Sequence, residues 1–196
     1  MSALRIVHPI TIGLATTLLV ACAATHPPHQ SVSSPALKRP LAAPFIVSTG
    51  PATQCVPYAR QISNIRIQGD AWTWWRSAGS PYARSKTPQI GAVLVLSKTD
   101  RLRYGHLAVV TQIVGQREIL VEHANWLNRG RIHKNQLVRD VSRRGDWSQV
   151  RLWYTPGNTM GVAAYPVSGF VLAPTPALAK ESETKKGGSR RNRLEF

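Results

Sequence analysis

Residues 104–126 read YGHLAVVTQIVGQREILVEHANW. Two apolar runs, His106–Val114 and Glu118–Trp126, flank a short polar stretch at Gly115-Gln116. Val, Ile and Thr dominate both runs, which predicts two antiparallel strands joined as a hairpin. A two-residue turn with Gly first matches type II′ geometry. Val114 then faces Arg117, His106 lies opposite Asn125, and Ala108 lies opposite His123. The two-residue period of a strand places His106, His123 and Asn125 on one face and Glu122 on the other. A three-residue turn over residues 115–117 would instead bring Glu122 and Trp126 to the His106 face. His123 and Asn125 are therefore the candidates to orient His106, with Glu122 as the alternative.

Outward from this hairpin, Gly91–Ser97 (GAVLVLS) reads as a strand and Val150–Tyr154 as a further one. Two helices are expected before them. One starts near Cys55. The other runs from Ala71 to Ser77 or Ala78, with Asp70 as N-cap and Gly79 ending it. Helices first and antiparallel strands after predict an α+β fold, with N-terminal helices packed on an antiparallel sheet.

Cys55 stands in Thr53-Gln54-Cys55-Val56-Pro57-Tyr58. Proline lacks an N–H and is tolerated in a helix only in its first turn, so a helix over Val56–Asn64 must begin at or just after Cys55. Free N–H groups and the positive end of the helix dipole gather there. They favour a thiolate, and the expected thiol pKa lies below its free value of about 8.5. The same amides suit an oxyanion, with the Cys55 N–H as first donor and Gln54 as second. A buried inert cysteine is the competing reading. His106 follows a glycine at a strand edge, where its imidazole can reach a cleft and serve as base for the thiol. The third member of such a set holds the imidazole tautomer.

The ends of the chain read differently. Residues 1–21 carry Arg5 and a short apolar run from Ile10 to Val20, which suits a signal peptide and is short for a membrane span. The run ends in Leu19-Val20-Ala21-Cys22, which resembles the bacterial lipobox. That resemblance implies lipidation of Cys22 and a membrane partner through the anchor. Ala23 follows, so in a diderm host the implied place is the cell envelope, on the periplasmic face of the outer membrane. Residues 22–45 read as a disordered linker, 46–174 as the folded domain, and 175–196, ending in KKGGSRRNRLEF, as a disordered basic tail.

Composition narrows the partners. The 196 residues hold 25 Lys and Arg against 9 Asp and Glu, a net charge of +16, so the surface attracts polyanions. The export signal argues against nucleic acid and leaves the cell wall and anionic lipid. The only cysteines are Cys22 and Cys55, and no CxxC or HExxH spacing occurs, so no metal site is expected.

Five segments together resemble the CHAP family of cysteine- and histidine-dependent amidohydrolases and peptidases. They are Gln54–Ala59, the Trp-rich Ala71–Gly79, Pro88–Val93, Gly105–Val110 and Ala124-Asn125-Trp126, in the family's order. The resemblance implies a papain-like fold, peptidoglycan as substrate, and amide cleavage as amidase or endopeptidase, with no cofactor. It places Cys55 as nucleophile and His106 as base. The usual CHAP pattern has Glu two residues before the Asn, where this chain has His123. The related NlpC-type peptidases often use His in that role. Tyr104 and Trp126 are the candidate substrate-binding residues. A wall-binding lipoprotein without activity and an acyl or peptidyl transferase using the same dyad are the other readings.

Overall fold

A computed structural model describes residues 42–174 apart from Ser48 and Asn128. The leader, Cys22, most of the linker and the tail beyond 174 lie outside the described residues. In chain order the elements are strand β1 (Phe45–Ile46), helix α1 (Cys55–Ser63), a 3-10 turn (Ala71–Thr73) running into helix α2 (Trp74–Ser77), and strand β2 (Ala83–Ser85). Strands β3 (Val93–Leu96), β4 (His106–Gly115), β5 (Glu118–Ala124), β6 (Ile132–Asp140), β7 (Gln149–Tyr154), β8 (Thr159–Met160) and β9 (Tyr165–Leu172) follow.

The sheet order is β1-β6-β5-β4-β3-β9-β7-β8, and β6 also pairs with β7. That extra pairing closes the sheet. Strands β3, β4, β5, β6, β7 and β9 form a six-stranded barrel, antiparallel at every joint. This corrects the α+β, papain-like expectation of N-terminal helices layered on an antiparallel sheet. The described chain is mostly antiparallel sheet, and its α-helices are two short ones, of 9 and 4 residues. The physical reason lies in β6 and β9, which the apolar pattern does not reveal. In β6 the sequence IHKNQLVRD alternates buried and half-exposed positions under a polar surface. In β9, YPVSGFVL carries a proline and a glycine that read as loop. Closure removes the open edges that a sheet of this length would otherwise expose.

The two faces of β3 explain its unbroken VLVL. Leu94 and Leu96 point into the barrel with Ala108, Val110, Ile119, Val121, Val138, Leu152 and Phe170. Val93 and Val95 point outward with Leu107 and Val109, under Ala59, Ile65, Ala71 and Trp74 of the helical segment. A strand covered on both faces has no polar positions to alternate.

The hairpin differs from the expected one in a compensated way. Gly115 pairs with Glu118, so Gln116-Arg117 form the turn. Register shifts between Val110 and Gln112 and between Ile113 and Gly115 then bring Val110 opposite Val121 and Val109 opposite Glu122. This is the alignment a Gly115-Gln116 turn would have given without bulges.

Phe170 is fully buried inside the barrel, edge-on to Trp147 at 5.8 Å. Phe170→Ala is expected to cost about 3–5 kcal/mol through lost burial and a retained cavity. Chemical denaturation with an unchanged m-value and a lower midpoint would show it.

Candidate active site

Helix α1 begins at Cys55 itself. Pro57 occupies its first turn, and the first helical bond runs from the Tyr58 N–H to the Gln54 carbonyl at 3.1 Å. Gln54 has extended backbone angles and makes no side-chain cap. Its side chain is held elsewhere. The Gly130 N–H donates to Asn125 Oδ1 at 2.8 Å, which fixes that oxygen as an acceptor and turns Asn125 Nδ2 toward Gln54 Oε1, at 2.5 Å. The Thr53 N–H donates to the Gly130 carbonyl at 2.9 Å. The approach to Cys55 is thus fastened to the β5–β6 connection. The same chain of bonds leaves Gln54 Nε2 as a donor beside the cavity.

His106 is the first residue of β4, on the barrel-facing side with Ala108 and Val110. Gly105 before it has φ +66°, and a Cβ there would meet the Leu96 carbonyl oxygen and the Trp72 nitrogen at 2.7 Å. Only glycine turns the chain so tightly into the strand. The Trp72 N–H donates to the Tyr104 carbonyl at 3.1 Å and ties the 3-10 turn to this corner.

Cys55, His106, Gln54, Tyr104, Asn125 and Trp126 line one cavity of about 260 Å³. His106 Nε2 lies 2.9 Å from His123 Nδ1. The Trp126 ring covers His106, with centroids 4.8 Å apart. Of the sequence-derived candidates, His123 is therefore on the His106 ring. Asn125 serves Gln54 and Gly130 instead. Glu122 faces outward, accepting from the Tyr58 hydroxyl at 2.8 Å and pairing with Lys134 at 3.1 Å. Tyr104 stands at the mouth, 69% exposed.

His133 is a residue that the sequence reading missed. It pairs with His123 across β5 and β6, and its ring stands edge-on to that of His123 at 5.2 Å. Its signal was hidden in the polar β6 run. The imidazole nitrogens of His106 and His123 face each other rather than a common point, and among the described residues no group of three His, Cys, Asp or Glu is arranged around an ion.

Burial sets the charges. It lowers the His106 pKa to about 3, with repulsion from His133 adding to it. His123 is lowered by burial, then by His106 and His133. Burial also raises the Cys55 thiol, opposed by the backbone N–H groups of Leu107, Val56 and Cys55 itself. This reverses the expected lowering, because desolvation of the half-buried sulfur outweighs the amides at the helix start. At neutral pH the cavity is thus lined by a neutral thiol and a neutral imidazole.

This is a thiol–imidazole site at the end of a closed β-barrel, with the sulfur on a helix start and the ring on a barrel strand. Residues 46–125 match the family model of the CHAP domain. Domains of this family act in general as amidases or peptidases on peptidoglycan. No curated protein matches the chain closely enough to name a relative.

The charge state has a measurable consequence. A raised thiol pKa means less thiolate at pH 7 than in free cysteine, so alkylation of Cys55 by iodoacetamide is expected to keep rising beyond about pH 9. No step is expected near pH 6.5, because His106 stays neutral down to about 3. A plateau of fast alkylation across neutral pH would instead reveal a thiolate–imidazolium pair.

Proposed function

We propose that the protein is a peptidoglycan hydrolase that cleaves an amide bond through Cys55 and His106. The observation that carries this reading is the commitment of His106 Nε2 to His123. With a proton on Nε2 donated to His123 Nδ1, the other nitrogen, Nδ1, is the base available to the cavity that holds Cys55. The thiol adds to the amide carbonyl carbon while its proton passes to His106 Nδ1. The oxyanion forms beside the Cys55 and Val56 N–H groups at the helix start, with Gln54 Nε2 as a further donor. The C–N bond breaks, and the amine leaves with the proton from His106. Water then adds to the thioester with His106 as base, releasing the acid and restoring the thiol.

His123 acts here as the positioning residue and His133 packs behind it. Neutral resting partners fit a mechanism in which the proton moves as the sulfur attacks. The raised thiol pKa is also the one observation that favours a wall-binding domain without turnover. Incubating the chain with purified peptidoglycan, beside its Cys55→Ala variant, decides between them by mass spectrometry of the products. Fragments from the wild type alone are expected. Their absence from a folded wild type that still pellets with the wall would select the binding reading.

The reading includes an envelope anchor at Cys22, supported by the apolar run that stops at that cysteine. Metabolic labelling with palmitate in a bacterial host is expected to mark the full chain and to fail in Cys22→Ala. Equal labelling of both would remove the anchor.

A further inference from the structure

Between residues 71 and 99 the chain carries Arg76, Arg84, Lys86 and Lys98 and no Asp or Glu. The fold gathers these cations around two tryptophans. Trp72 and Trp75 stand three residues apart in the 3-10 turn and α2, which places them on one face of the helical segment. Arg76 and Lys98 lie over the Trp72 ring, 5.4 and 5.8 Å from its centroid. Lys86 and Arg84 lie over the Trp75 ring, at 4.6 and 5.7 Å. The Lys86 ammonium donates to the Ser168 carbonyl at 2.8 Å, and Arg84 reaches the Trp75 carbonyl at 3.5 Å. All four cations are exposed and both tryptophans are half-buried. Among the described residues none of the four cations makes an ion pair.

Two properties of this face select its partner. Like charges held together without a counter-charge repel one another and draw anions. Tryptophan joins a large apolar body to a polar N–H and gathers at the level of lipid headgroups, where neighbouring Lys and Arg meet phosphate. A sugar that stacks on tryptophan needs an open ring face, and here cations lie over both rings. Wall carboxylates would be met by the cations alone, a match that makes no use of the indoles. The face also adjoins the corner before His106, because the Trp72 N–H donates to the Tyr104 carbonyl at 3.1 Å and Tyr104 is exposed at the cavity mouth.

We propose that the face around Trp72 and Trp75 docks on the surface of a bilayer containing anionic phospholipid, with its four cations against the phosphates and the two indoles at headgroup depth. The docking requires neither turnover at Cys55 nor acylation of Cys22. An acyl anchor at Cys22 would hold the domain within reach of the same surface.

No tryptophan precedes Trp72, so indole fluorescence reports this domain and not the leader. The full chain carrying Cys22→Ala is mixed with vesicles of phosphatidylglycerol and phosphatidylcholine whose acyl chains are brominated near the headgroup. It is expected to sediment with them and to lose tryptophan emission, both effects fading as salt rises, and to do so far less with phosphatidylcholine alone. Arg76→Gln combined with Lys98→Gln is expected to weaken the binding about 25-fold, since each Lys or Arg near an anionic surface contributes about fivefold. Arg143→Gln combined with Arg151→Gln removes the same charge from other exposed positions and is expected to cost less than about threefold. Trp72→Phe combined with Trp75→Phe is expected to remove most of the quenching. Melting curves that match the parent chain guard against a fold effect. Equal loss in the two arginine-containing double variants, or quenching that survives the loss of Trp72 and Trp75, would overturn the docking face. Sedimentation with purified peptidoglycan but not with the vesicles, abolished by Arg76→Gln with Lys98→Gln, would overturn the lipid as occupant and put the wall there.

Discussion

Strand β9 hydrogen-bonds to β3 on one side and β7 on the other, and β6 reaches β7 across the remaining gap. Without these joints the sheet is an open ribbon with exposed edges. With them it becomes a ring of strands around Leu94, Val110, Val121 and Phe170. Each of these apolar side chains contributes about 1.5–3 kcal/mol by leaving water. The closed ring also fixes where its strands begin. His106 opens β4 and His123 comes late in β5, and both lie at one end of the barrel because the hairpin runs antiparallel. The site is therefore built on the rigid part of the molecule, and the 2.9 Å contact between the two rings inherits that rigidity.

Much of the hairpin was legible, because β4 and β5 announce themselves by β-branched content and by the period of two. The helix start at Cys55 was legible from Pro57, whose missing N–H admits few positions. The face shared by His106 and His123 was read from a turn that turned out to lie one residue further on. Two bulges restored the alignment, and bulges leave little trace in a pattern of apolar residues. The barrel itself was not legible. Closure depends on β6 and β9, whose polar and Pro/Gly-containing sequences are half-covered rather than fully buried. A long-range pairing such as Val93 with Val171 has no local signature at all.

The electrostatics of the site show why helix-start reasoning was incomplete. The amides at the start of α1 do face the sulfur, as do the N–H groups of Leu107 and Cys55. Yet the same packing that aims them also covers Cys55 beside the outer apolar cluster. Removal of water penalises a thiolate more than the aligned N–H groups repay. The sign of the shift is thus decided by burial, a tertiary quantity, and not by position in the helix.

Three buried imidazoles in contact would be costly if any one were charged, since each would raise the electrostatic cost for its neighbours. Burial keeps all of them neutral at neutral pH. A neutral His106 has one proton and two nitrogens. The hydrogen bond with His123 makes its choice of tautomer depend on which ring donates. Among the described residues, His123 Nε2 is buried without a hydrogen-bond partner, and so is His133 Nδ1, so neither outer ring is pinned there by a strong acceptor. A carboxylate in place of His123 would hold the His106 proton on Nε2 electrostatically and would stabilise an imidazolium after proton transfer. A second imidazole accepts the same hydrogen bond without the negative charge. In the proposed mechanism, the set Cys55–His106–His123 therefore favours proton transfer that is completed only while the substrate carbonyl is under attack. It also accounts for a resting thiol that the barrel keeps neutral.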